Sequence, residues 1–183
     1  MSYFDPDVAT DAVAFLVKLA GGRLNKVAVA KLLYFADRQA AIETGHSITH
    51  AAFFSLPRGP VGREVLDLIN RRTQHDRWTK HLRTVDNNVE LTRKPSFRNL
   101  SRLDVKMLRG QWTKHRHTFN PVRYPGMLVA FSRTLPEWQR PLGREGNMIA
   151  RRQLLELHGW SERNIAIVEE ESEFFAWSRE QCA

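Results

Sequence analysis

Seven histidines (His46, His50, His75, His81, His115, His117, His158) and one cysteine (Cys182) are the side chains best suited to metal or nucleophilic chemistry here. A zinc site wants ligands in tight pairs that converge on one point. His46 and His50 stand four apart but straddle an expected helix exit, and His115 and His117 splay apart on either a helix or a strand. Neither His-Glu-x-x-His nor Cys-x-x-Cys occurs, and the chain has no Gly-x-Ser-x-Gly elbow, phosphate-cradling Walker loop or Gly-x-Gly-x-x-Gly fingerprint. The densest acidic run, Glu169 to Glu173, is a solvated helix face before it is a general acid–base pair. These patterns point to no catalytic residue, no metal and no cofactor, and the chain is expected not to be an enzyme.

A different chemistry is offered by Lys31 to Asn70, which contains "KLLYFADRQAAIETG" and "FFSLPRGPVGREV". Gly59 tolerates backbone angles closed to other residues, and Pro60 suits the first position of a helix, where its missing N–H costs nothing. Read this way, the corner exposes helix N–H groups beside Arg58 and could hold an anion.

The elements that must position these residues follow from periodicity. Helical spacing runs over Asp7–Ala20 and stops at Gly21-Gly22; a second helix is capped by Asn25 and runs to Thr44 before Gly45. Val29, Leu32, Leu33, Ala36 and Ala40 form its inward stripe, with Lys31, Tyr34, Arg38 and Ala41 on another. An extended segment through Phe53 and Phe54 is followed by a helix from Pro60 to about Arg72 and a hairpin turning at Asp86 to Asn88. Further helices are expected after Ser101, with Leu103, Met107 and Leu108 inward, over Met127–Thr134, over Asn147–Leu157, and over Ser161–Ser178. The fold class is α+β: a mostly helical single domain with a small β-hairpin or sheet element in the middle. Residues 1–160 form its body, and 161–183 an acidic helical segment packed on it or extending from it.

Composition bounds the partners. No apolar run approaches the ~20 residues of a membrane span, the first residues are acidic rather than signal-like, and a lone cysteine argues for a cytoplasmic protein without disulfides. The net charge is +8, but from Ser161 onward six acids meet two bases, while Arg71 to His117 carries thirteen Lys or Arg against four acids. Arg71, Arg72, Arg77, Lys80 and Arg83 surround Trp78, and Arg93, Lys94 and Arg98 flank Phe97, so nucleic acid is a possible partner of this basic middle region. No helix-turn-helix pair accompanies it, although a helix followed by a hairpin could be read as a winged arrangement.

Taken together, Lys31-Leu32-Leu33-Tyr34, Gly45, Phe53-Phe54 and Gly59-Pro60-Val61 resemble the core motif of the Panacea domain, the SocA-type antitoxin family. The similarity extends loosely over residues 8–141, except that Arg133, after Ser132 and before Trp138, stands where the family usually has histidine. The resemblance implies a bacterial or phage antitoxin that neutralises a cognate toxin, encoded next door, by direct binding, or that delivers it to a protease. It also implies that the partner-binding residues come from Tyr34, Arg38, Arg58, Gly59, Pro60, Val61 and Trp138. Aromatic and guanidinium groups of this kind are enriched at interface hot spots.

Overall fold

The computed structural model describes residues 4–181; Cys182 lies outside them. Helix α1 (Pro6–Leu19) starts where the Asp5 carboxylate accepts from the N–H groups of Asp7 and Val8, each at 3.0 Å. After β1 (Arg23–Asn25), the Asn25 side chain accepts from Val27 N–H at 2.9 Å and opens α2 (Lys26–Thr44). Gly45 ends α2 in the left-handed region, φ 84°, with the Val168 side chain where a Cβ would stand.

Helix α2 is the centre of the molecule. It packs against α1, against α5 (Arg102–Phe119), α6 (Pro125–Ser132) and α7 (Arg151–Leu157). Contacts on every side explain why its burial exceeds the expected stripe: Lys31, Tyr34, Asp37 and Ala41 are as buried as Leu32 and Leu33. Ser101 opens α5 with a reciprocal capping box, its hydroxyl accepting from Asp104 N–H and its own N–H donating to the Asp104 carboxylate. Met107 and Leu108 face inward as expected, whereas Leu103, near the start of the helix, is 41% exposed.

Two three-stranded antiparallel sheets flank the helices. In one, β4 (Leu82–Val85) and β5 (Asn88–Leu91) form the expected hairpin, and β1 adds to its free side in the order β1-β5-β4. In the other, β2 (Phe53–Leu56) lies between β3 (Gly59–Gly62) and β6 (Asn147–Ile149). This second sheet corrects two expectations. Pro60 begins no helix: it sits in β3 opposite Ser55, and α3 starts three residues later, as Arg63–Ile69. The segment from Asn147 is a strand as far as Ile149, and its helix, α7, starts at Arg151.

The helix α4 (Asp76–His81) precedes β4, and α8 (Glu162–Glu180) packs on α7 through its early turns, burying Ile165 and Val168. Farther along α8, Phe174, Phe175 and Trp177 are exposed. Among the described residues, no helix is long and apolar enough to cross a membrane.

Candidate functional site

The Gly-Pro corner is the second half of a β-hairpin turning at Pro57-Arg58, with Leu56 opposite Gly59 and Phe54 opposite Val61. Gly59 has φ +88°, and a Cβ there would overlap the Ser132 hydroxyl of α6 and come within 3.0 Å of Lys31 Nζ. Glycine is therefore required twice, for conformation and for space. No helix terminus is present at this corner to hold an anion; the positive groups are side chains.

Lys31 reaches the hairpin from α2, and its ammonium donates to the Pro60 carbonyl at 2.6 Å. The lysine is 2% exposed. Burial, then the charges of Arg58 and Arg133, lower its pKa from 10.5 to about 7. Pro60 has no N–H to offer, and Lys31 occupies its carbonyl. The outer edge of β3 is thus blunted against pairing with another strand. Arg133 donates to the Pro57 carbonyl and lies 5.8 Å from the Trp138 ring centre. Trp138 in turn donates from Nε1 to Leu56 O at 3.1 Å. Both residues brace the hairpin turn.

Tyr34 and Arg38, the next residues on the same stripe of α2, converge on Glu137, which follows α6 and is 1% exposed. The Tyr34 hydroxyl donates to Glu137 Oε1 at 2.8 Å, and Arg38 spans both carboxylate oxygens, at 2.6 and 3.1 Å. Arg38 Nη2 also lies 2.8 Å from His158 Nε2 at the end of α7. Burial and the neighbouring Glu137 charge push the Tyr34 phenol well above 10.

Of the seven expected partner-binding residues, Tyr34, Gly59, Pro60 and Val61 are buried, Arg38 and Trp138 half-buried, and Arg58 exposed. The structure brings the group together around the hairpin and the α2 stripe, largely as internal bracing. Sequence reasoning missed Glu137 as their common partner and Lys31 as the cap of β3. The spacing of Lys31, Tyr34 and Arg38 on one face of an otherwise apolar helix was the available signal.

Beside the hairpin turn opens a cleft of about 420 Å³. Val27, Ala30, Leu56, Val61 and Leu66 form its apolar walls, and Lys26, Lys31, Arg58 and Arg144 stand around it; among the described residues no carboxylate lines it.

The histidines do not converge on a metal: among the described residues there is no group of three or more His, Cys, Asp or Glu suited to one. His115 is 1% exposed, stacked 5.6 Å from Phe119 and tilted 4.7 Å from Phe35. That apolar setting lowers its pKa to about 4. The stacking groups expected of the basic middle pack on the core too, Trp78 buried and Phe97 partly buried. Trp78 is 5% exposed, and Phe97 packs edge-on to Phe15 at 5.2 Å. Arg77 ties α4 to α1 through the buried Asp11, at 2.6 and 2.8 Å.

A family model described as Antitoxin SocA-like, Panacea domain, matches residues 29–121, from the first turn of α2 to just past α5. No curated protein and no solved structure matches the chain.

Proposed function

The chain belongs to the SocA-like antitoxin, Panacea domain family, and from that membership we propose that it is the antitoxin of a toxin–antitoxin pair, neutralising a cognate toxin by direct protein–protein contact. The observation that carries this reading is the match itself, which spans Lys31, Tyr34 and the Arg58–Val61 hairpin. The role proposed is binding without a catalytic step. Two exposed features suit a protein partner: Arg58 at the hairpin tip, beside the cation-lined cleft, and the Phe174, Phe175 and Trp177 group on α8. Exposed aromatics and arginines supply large contact area with polar anchoring.

The test is growth on co-expression. The toxin, encoded beside this gene, should arrest growth when expressed alone and be silenced when this chain is expressed with it. A harmless neighbour, or arrest that this chain does not relieve, would refute the proposal.

A further inference from the structure

We propose that the cleft beside the hairpin turn receives an acidic side chain of the toxin, an Asp or Glu flanked by aliphatic residues. This inference rests on the antitoxin reading and gives the contact a chemistry. Its first ground is unused positive charge. Lys31, 2% exposed, already gives an N–H to Pro60 O at 2.6 Å, so the charge facing the cleft comes chiefly from the exposed guanidinium groups of Arg58 and Arg144. Arg38, Arg77 and Arg152 each meet a carboxylate of this chain. Among the described residues, Lys26, Lys31, Arg58 and Arg144 form no such pair.

The walls choose among anions. Val27, Leu56, Val61 and Leu66 are aliphatic, so a bare hydrated ion leaves most of the cleft surface unmatched. They include no aromatic ring on which a nucleobase could stack. A carboxylate with aliphatic neighbours satisfies both parts, charge to charge and methyl to methyl. Strand addition is not the mode of capture, because Pro60 lacks a donor and Lys31 holds its carbonyl. Recognition falls to side chains, with Arg58 and Arg144 able to grip a carboxylate through paired N–H donors.

The test uses the full chain, 15N-labelled, and amide NMR. The probe is an end-capped peptide, Val-Leu-Glu-Leu-Val, compared with its Gln counterpart, with sodium phosphate and with a short oligo-dT. The Glu peptide should shift the amides of Val27, Arg58, Gly59 and Val61 saturably, and the Gln peptide should bind about tenfold more weakly. The double variant Arg58→Ala, Arg144→Ala changes exposed residues, so its spectrum should stay that of the folded protein while Glu-peptide affinity falls about tenfold or more. Three results would overturn the proposal: Glu and Gln peptides binding alike, phosphate or oligo-dT shifting the same amides as strongly as the Glu peptide, or no peptide shift at millimolar concentration. The same double variant separates this inference from the broader one. If the wild-type chain silences the toxin and the double variant does so equally well, the cleft is wrong and the antitoxin role stands. If the wild type fails to silence it, the antitoxin role falls whatever the peptide does.

Discussion

Replacing Lys31 by methionine should change how stability depends on pH more than it changes the fold. The unfolded chain keeps the lysine proton up to its ordinary 10.5, whereas the folded chain releases it at about 7, because burial and the Arg58 and Arg133 charges oppose the ammonium. Between those two values the unfolded state binds one more proton, so stability rises with pH across the window and is lost as pH falls through 7. Each pH unit is worth about 1.4 kcal/mol, so the wild-type chain should gain about 3 kcal/mol between pH 7 and about 9.5. In urea this is a rise of about 1 M or more in the unfolding midpoint for a slope of about 2 kcal/mol per M. The measurement stops below 10 because the Tyr34 phenol, raised above its ordinary 10.0, contributes with the opposite sign beyond that point.

In the Lys31→Met variant the aliphatic length is kept, the proton is gone and the Pro60 carbonyl loses its donor. Its midpoint should stay nearly flat from pH 7 to about 9.5, crossing the wild-type curve from above. Arg58→Ala should give an intermediate slope, since removing one neighbouring cation moves the Lys31 pKa back toward 10.5. Parallel curves for wild type and Lys31→Met would refute the reasoning, because they would mean that the folded protein holds the lysine charged without cost.

Asp37 is fully buried, accepting from Thr49 N–H at 2.9 Å and the Thr49 hydroxyl at 2.7 Å, and burial pushes its carboxyl up to about 7. Its contribution to stability should fall as pH rises from about 4 to about 7, and Asp37→Asn should remove that slope in a urea titration series. His115, lowered to about 4, acts oppositely, so stability drains as pH falls from 6.5 toward 4; His115→Phe should lessen this acid sensitivity. Glu137→Ala leaves Arg38 and the Tyr34 hydroxyl without their acceptor and should cost about 3 kcal/mol, against about 1 kcal/mol for Tyr34→Phe. Gly59→Ala, at φ +88° with the Ser132 hydroxyl in the way, should cost about 2 kcal/mol or more in the same assay.

The boundaries of α2 were legible because Asn25 and Gly45 act on backbone groups a few residues away. The placement of Pro60 was not, for a specific reason. A first helical turn and the outer face of an edge strand both accept a residue without an N–H. The Pro60 neighbourhood therefore satisfies either structure locally. What decides is remote: Ser55 across the hairpin, and Lys31, 29 residues earlier, on the carbonyl. The strand at Asn147–Ile149 was hidden in the same way, since its partner is the Phe53–Ser55 strand far back in the chain.

The polar stripe of α2 shows most directly what a sequence carries and what it withholds. Lys31, Tyr34 and Arg38 at intervals of three and four on an apolar helix require something to answer their polarity, and that much is readable from spacing. The answer lies 103 residues from Tyr34 and 99 from Arg38, in a single carboxylate. Glu137 neutralises Arg38 and receives the Tyr34 hydroxyl, but Lys31 is matched by a neutral carbonyl instead. A carbonyl satisfies one donor but supplies no opposite charge to offset the burial that lowers the lysine pKa to about 7. Arg58, beside the same cleft, meets no carboxylate of this chain among the described residues and adds to the charge that lowers the lysine pKa. The positive potential of the cleft thus rests less on the stripe than on its neighbour: Glu137 neutralises Arg38 and accepts from the Tyr34 hydroxyl, burial favours release of the Lys31 proton, and the Arg58 guanidinium is left for something outside the fold.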